Sequence, residues 1–293
     1  MTSRPILVCT DLGETSNEAI RQAAAWARRV NAPLVACHVM PDLVRIQPLL
    51  PHLSGADAAF VPALHERVGA ALAERVTKLT GRRGQELGTV LDEGPTVATL
   101  LRIAEEHQPQ LLVLGSSSKE PLERALLGST AEQVCRYAHV SVLVARRTPE
   151  ASSRILVATD FSESAEPALA AAAVEADRRG VDRAIVHALD VAHPALAAFD
   201  ASAVLPAVTI EALRTACNEM LTATRERLHA SGPALVVEGA PAGAIAHTAK
   251  DLHASLVVVG THGRTGLKRV ALGSVAEGVI RRAPCSVLVV RAS

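Results

Sequence analysis

Aromatic side chains are nearly missing from this chain: three Phe, one Tyr and one Trp in 293 residues. Single-stranded nucleic acid is held largely by stacking bases on aromatic platforms, and so few rings cannot build them. An excess of one charge is missing too. Lys and Arg total 30, Asp and Glu total 30, and the formal net charge is zero. No basic excess exists to release counterions from DNA, and no polybasic run exists to hold a membrane surface. No apolar stretch approaches the roughly 20 residues a membrane-spanning helix needs. Met1-Thr-Ser-Arg-Pro runs straight into Ile6-Leu-Val-Cys, which reads as a first strand and is too short for a signal peptide. The expectation is therefore no nucleic acid and no membrane.

Metal and nucleophile signatures are absent as well. Five cysteines (Cys9, Cys37, Cys135, Cys217, Cys285) are scattered without a C-x-x-C pair. That pattern fits a reducing, cytoplasmic setting in which cysteine acts as a small buried hydrophobe. The eleven histidines form neither an i, i+4 pair nor an H-E-x-x-H helix, so no metal site is expected. No lysine follows a glycine loop as in a P-loop, and no G-x-S-x-G elbow is present.

What the chain does have is itself, twice. Arg4-Pro-Ile-Leu-Val-Cys-Thr-Asp11 matches Arg154-Ile-Leu-Val-Ala-Thr-Asp160, and His38-Val39 matches His187-Ala188 at the same offset of 149. Glu93-Gly94 then matches Glu238-Gly239, and Leu111-Leu-Val-Leu-Gly115 matches Leu256-Val-Val-Val-Gly260, at an offset of 145. Gly128-Ser129 with Gly273-Ser274, and Ser141-Val-Leu-Val144 with Ser286-Val-Leu-Val289, keep 145 to the end. The lost four positions fall in the proline-bearing stretch 41–62 of the first repeat, read as an excursion loop. The polar run 146–153 divides the chain into domains expected at 1–147 and 152–293.

Within each repeat, short Val/Leu/Ile runs alternate with longer Ala-rich amphipathic segments. In the second, strands are expected over 155–159, 184–189, 235–237, 256–259 and 287–290, with helices over 165–179, 209–230, 242–252 and 275–282. Ser162 or Ser164 is the expected cap of the first helix, and Gly180 its stop. Alternating β and α with continuously apolar strands implies a parallel sheet covered on both faces. The fold class is α/β: two tandem Rossmann-like domains, each a five-stranded parallel sheet with helices on both faces. Such sheets bind ligands at the carboxyl ends of their strands, where the strand order reverses.

Three features of the second repeat fall at those ends. Asp160, directly after strand one, is either a carboxylate for a ribose hydroxyl or adenine edge, or a helix-capping residue. Gly260-Thr-His-Gly263-Arg-Thr-Gly266 is either a loop that lets a phosphate approach the backbone, or an ordinary glycine turn. Gly273-Ser274 opens a helix whose first N–H groups lack partners, so it is either an anion site or a simple N-cap. The combined spacing, Gly260-x2-Gly263-x9-Gly273-Ser274 between a strand and a helix, is far more specific than its parts.

With Thr159-Asp-Phe-Ser-Glu-Ser-Ala165 and Arg282-Ala-Pro-Cys-Ser-Val-Leu-Val-Val-Arg291, that motif resembles the universal stress protein family, over essentially the whole chain and twice. The resemblance implies an adenine nucleotide alpha hydrolase-like fold with ATP lying over the sheet. Carried onto this chain, the adenosine end would meet Ala158, Asp160 and Ala188. The phosphates would meet Val259, Gly260, Gly263, Gly273, Ser274 and Val275, with Mg2+ or Mn2+ accompanying them and His262 and Arg264 as further neighbours. Repeat one retains Asp11, Val39, Gly115, Gly128 and Ser129, but Ser118 replaces the second glycine. Weaker or absent nucleotide binding is expected there.

The resemblance further implies a pseudo-dimer of the two halves through their last strands, self-association of the whole chain as an option, and an unidentified regulatory protein partner. The leading reading is an ATP-binding stress regulator without a visible catalytic base. A slow ATPase or nucleotide-dependent transferase, and a nucleotide-free scaffold, stand as alternatives.

Overall fold

A computed structural model of the chain describes residues 3–41, 60–82, 84–116, 128–147, 153–190, 207–261 and 272–291. The chain divides into two compact units, Met1–Ala145 and Arg146–Ser293.

The first unit runs β1 (Ile6–Cys9), α1 (Asn17–Arg29), β2 (Leu34–Met40), α2 (Phe60–Thr80), β3 (Leu87–Glu93), α3 (Thr96–His107), β4 (Leu111–Gly115), α4 (Ser129–Tyr137) and β5 (Val142–Ala145). All pairings are parallel: β2 joins β1 and β3, β4 joins β1 and β5, in the order β3-β2-β1-β4-β5. The second unit repeats this with β6 (Arg154–Ala158), α5 (Glu166–Arg179), β7 (Asp182–Leu189), α6 (Ala207–Arg227), β8 (Ala234–Glu238), α7 (Pro241–Asp251), β9 (Ala254–Gly260), α8 (Ser274–Arg282) and β10 (Ser286–Val290). Its order is β8-β7-β6-β9-β10, again all parallel.

The chain moves outward from β1 to β3, then crosses back to β4 and β5. Right-handed crossovers in opposite directions must leave their helices on opposite faces. Accordingly α1 packs with α2, and α3 with α4, while in the second unit α7 packs with α8. Covering both faces explains the apolar strands: Ile6, Leu7 and Val8, and likewise Ile155, Leu156 and Val157, are fully buried. The reversal of direction leaves a gap above the carboxyl ends of β1 and β4, and of β6 and β9.

The strands and helices of the second repeat fall where the apolar pattern predicts, with two instructive differences. β7 begins earlier than its apolar run, at Asp182, because the buried Arg183 sends its guanidinium to the Leu228 carbonyl. α6 stops at Arg227 rather than at 230, where His229 turns left-handed at φ 49°. Gly180 does end α5, at φ 63°, with its N–H on the Ala176 and Asp177 carbonyls. Asn31 takes the corresponding left-handed place after α1.

The serine cap is a correction. Residues Glu163–Ala165 form a 3-10 turn ahead of α5, and neither it nor α5 has a side-chain cap. The Ser162 hydroxyl is instead donated to Asp160 Oδ1 at 2.5 Å. Donation to a carboxylate makes a charge-assisted hydrogen bond, and it turns the hydroxyl back toward Asp160 rather than toward the helix N–H groups. Of the excursion stretch 41–62, residues 42–59 lie outside the described residues, and the loop reading fails at its end, where Phe60, Val61 and Pro62 already belong to α2.

Candidate functional site

Each unit opens a cleft at its switch point. In the second, a cleft of about 410 Å3 is lined by Ala158, Thr159, Asp160, His187, Ala188, Asp190, Pro241, Ile245, Val259, Gly260, Thr261, Gly273, Ser274, Val275 and Ala276, among others. Eight of the nine residues singled out in this repeat from sequence are thus brought together: Ala158, Asp160, Ala188, Val259, Gly260, Gly273, Ser274 and Val275. The ninth, Gly263, lies outside the described residues with His262, Arg264 and Gly266.

The turn after β6 is tightly specified. Thr159 accepts the Phe161 N–H on its hydroxyl at 3.0 Å, and Asp160 Oδ1 accepts the Ser162 N–H at 3.1 Å. These bonds hold Phe161 at φ 64°, a left-handed conformation that is uncommon for a bulky side chain. Strained backbone of this kind costs on the order of 1–3 kcal/mol and clusters at functional sites. The Phe161 ring lies 4.4 Å from that of His187, whose Nδ1 pairs with the Thr159 carbonyl at 2.9 Å. Asp160 therefore lines the cleft and pins its own loop, and the helix-capping alternative does not hold, because no side chain caps the 3-10 turn or α5.

On the other side, the loop after β9 leaves from Thr261 and returns at Leu272. Its base is closed by the Gly273 N–H on the Thr261 carbonyl at 2.8 Å. Gly273 is the N-cap of α8 at φ −64° and ψ 147°, and no side chain caps that helix. An extended conformation suits any residue, so glycine is not needed there for backbone freedom. Helix N–H groups left without a side-chain cap, at the positive end of the helix dipole, suit an anion. No Lys or Arg lines the cleft among the described residues.

The first unit has the same construction on a smaller scale. Its cleft, about 270 Å3, is lined by Cys9, Thr10, Asp11, Thr15, Ser16, His38, Val39, Thr96, Leu100, Leu114, Gly115, Gly128, Ser129, Thr130 and Ala131. All five residues expected here, Asp11, Val39, Gly115, Gly128 and Ser129, are among them. Leu12 repeats the left-handed turn at φ 61°, with its N–H on the Thr10 hydroxyl at 3.0 Å. His38 Nδ1 meets the Thr10 carbonyl at 2.8 Å, and the Gly128 N–H meets the Ser116 carbonyl at 3.1 Å. Ser118 lies outside the described residues. One contribution to the narrower cleft lies within them: the larger Val39 stands where the second repeat has Ala188.

Sequence reasoning did not single out Thr10 and Thr159, Asp190, or the first turns of α3 and α7 as cleft residues. The repeat offset carried the signal for the threonines, which are identical at equivalent positions. Among the described residues, no group of three or more His, Cys, Asp or Glu is placed to hold a metal ion, and no helix is long and apolar enough to cross a membrane.

A doubly wound sheet, built twice, with a cleft at each switch point defines the class: a tandem Rossmann-like α/β protein. The sequence model of the Universal stress protein family matches residues 2–146 and again 152–291, and the chain belongs to that family. A universal stress protein of Mycolicibacterium smegmatis is 32% identical over 300 residues, covering 99% of this chain and 98% of its own. Universal stress protein Rv2005c of Mycobacterium tuberculosis is 32% identical over 283 residues, 92% of each chain. The fold is shared with a solved universal stress protein from Archaeoglobus fulgidus, at a TM-score of 0.64 and 20% identity, over 100% of this chain and 97% of that one.

Proposed function

We propose that this protein is an ATP-binding regulator of the stress response, with the second repeat as its nucleotide site. The observation that carries the reading is the convergence of Asp160, Ala188, Gly260, Gly273 and Ser274 on one cleft, from segments more than a hundred residues apart. Asp160 supplies an acceptor for ribose hydroxyls, and the α8 N-terminus supplies donors for phosphate. The backbone around Ala188 bounds the flat slot for the base. The sequence between Thr261 and Leu272 carries His262, Arg264, Lys268 and Arg269, cationic residues of a kind that the described lining lacks.

A divalent ion fits this arrangement as a companion of the phosphates. Mg2+ typically keeps several waters and takes one or two carboxylates together with phosphate oxygens. Asp160 and Asp190 are the carboxylates lining the cleft among the described residues, and the ion would neutralise phosphate charge there.

A nucleotide in the cleft sets its phosphates against the first turn of α8, and so changes the surface offered to a partner protein. Phosphoryl transfer needs a positioned nucleophile as well as charge neutralisation, and Asp160 and His187, which could serve as bases, are engaged in holding the turn after β6. Slow or absent hydrolysis is the expectation. The test is mass analysis of small molecules released from the freshly purified protein, followed by calorimetric titration with ATP. Co-purified ATP, or saturable binding at micromolar concentration, supports the reading. Steady turnover at roughly 1–100 per second would transfer it to an enzyme.

A further inference from the structure

We propose that Cys9 and Cys37 are an oxidisable dithiol in the floor of the repeat-one cleft, which a peroxide entering through the cleft converts to a disulfide. The two residues are register partners on the adjacent parallel strands β1 and β2, and their sulfurs lie 3.2 Å apart. Neighbouring strands run about 4.8 Å apart, which falls within the Cα separation that a disulfide spans. The pair is therefore pre-assembled, and a small approach of two sulfurs closes it.

Access distinguishes the two thiols. Cys37 is fully buried, whereas Cys9 retains 6% exposure and lines the cleft beside Thr10 and His38. Cys9 is thus the sulfur an incoming oxidant meets, and Cys37 is the one that resolves it. Pairing with Cys37 and burial hold the Cys9 thiol well above its ordinary pKa. Thiolate is the reactive form, so the pair reacts slowly, and its oxidation needs sustained peroxide. Cytosolic disulfides are usually of this transient, sensing kind.

The duplication supplies an internal control. At the equivalent places the second repeat carries Ala158 and Val186, which are register partners in the same way. The fold therefore does not need cysteine at either position, and the thiol pair belongs to the repeat whose nucleotide motif is incomplete.

The chemistry balances with hydrogen peroxide as the oxidant. Cys9 Sγ attacks one peroxide oxygen, the O–O bond breaks, and the thiol proton leaves with the other oxygen as water. Cys9 is then a sulfenic acid. Cys37 Sγ attacks that sulfur, the S–O bond breaks, and the hydroxyl departs with the Cys37 proton as a second water. Each sulfur loses one electron, and peroxide gains two.

The experiment uses the full chain carrying Cys217→Ser, which removes the half-buried thiol on α6. It is exposed to excess hydrogen peroxide, unfolded, alkylated, and mapped by mass spectrometry without reduction. The expected result is a loss of two hydrogens, with the Cys9 peptide linked to the Cys37 peptide and both released by dithiothreitol. Cys9→Ala and Cys37→Val, the residues of the second repeat, each abolish the link. Recovery of Cys9 as sulfinic acid with Cys37 still free would overturn the proposal. So would two intact thiols after an exposure that oxidises a small dithiol in the same tube.

Discussion

Gly278 and Gly243 sit on neighbouring helices of the second repeat, and the structure predicts opposite outcomes for the same substitution. Gly278 lies inside α8, where a Cβ would come to 2.5 Å from the Ala242 Cβ on α7 and 3.0 Å from Arg282 Nη1. The arginine end swings aside at little cost. The alanine cannot, because it is fixed to the backbone of α7. Ordinary carbon contacts lie at about 3.5–4.0 Å, so the helices must separate by roughly 1 Å. Overpacking of this kind costs about 1–3 kcal/mol. Replacing glycine inside a helix returns about 1 kcal/mol, so Gly278→Ala destabilises by up to about 2 kcal/mol. Gly243, near the start of α7, is exposed, and a Cβ there meets nothing within 4 Å. Gly243→Ala therefore stabilises, by up to about 1 kcal/mol. For a unit of this size, 1 kcal/mol moves the melting temperature by about 2–4 °C. Scanning calorimetry of the full chain reads both shifts on the second repeat's transition. Because Pro241 and Ser274 both line the cleft, spreading α7 from α8 also weakens the ligand site. An upward shift for Gly278→Ala, equal to that of Gly243→Ala, would refute the close helix contact.

Asp160→Ala removes a charged acceptor from the ligand and the brace of its own loop. A hydrogen bond to a charged group is worth about 1.5–3 kcal/mol, so ATP affinity measured by calorimetry should fall by roughly 10- to 150-fold. Equilibrium dialysis of the intact chain should give one strong nucleotide site, because Val39 takes room in the first cleft that Ala188 leaves in the second; two equal sites would contradict that assignment. Timed alkylation of the native chain should modify the half-buried Cys217 first. Cys285, whose thiol burial pushes up to about 12, should resist until the protein unfolds.

Most of the architecture was legible because it is written twice in an apolar code. Strands buried on both faces leave uninterrupted Val/Leu/Ile runs, and Gly180 announces a helix end because, without a Cβ, it takes the left-handed conformation freely. Features set by tertiary partners were not legible. Arg183 reads as a loop residue until the Leu228 carbonyl is known to receive it. Ser162 reads as a cap until Asp160 is seen to take its hydroxyl. Leu12 and Phe161 hold left-handed turns with no glycine to mark them, since the threonine and aspartate side chains impose the turn. Asp160, Gly260, Gly273 and Ser274 were found from their spacing at strand ends, and the other cleft residues, Ala158, Ala188, Val259 and Val275 among them, only through the family resemblance. The Cys9–Cys37 pair was not, because adjacency across β1 and β2 depends on a register that no local pattern states.

Titration of ATP into the full chain, wild type and Gly273→Val side by side, tests the nucleotide site most directly. Gly273 has an extended backbone at φ −64°, so valine is tolerated there without strain, and its side chain would occupy the room beside the α8 N-terminus. Micromolar binding corresponds to about 8 kcal/mol, and loss of half of that removes it from calorimetric range. The account predicts saturable heat for the wild type and none for a Gly273→Val chain with an unchanged melting temperature. Equal ATP affinity in the two chains, or no binding by the wild type, would contradict it.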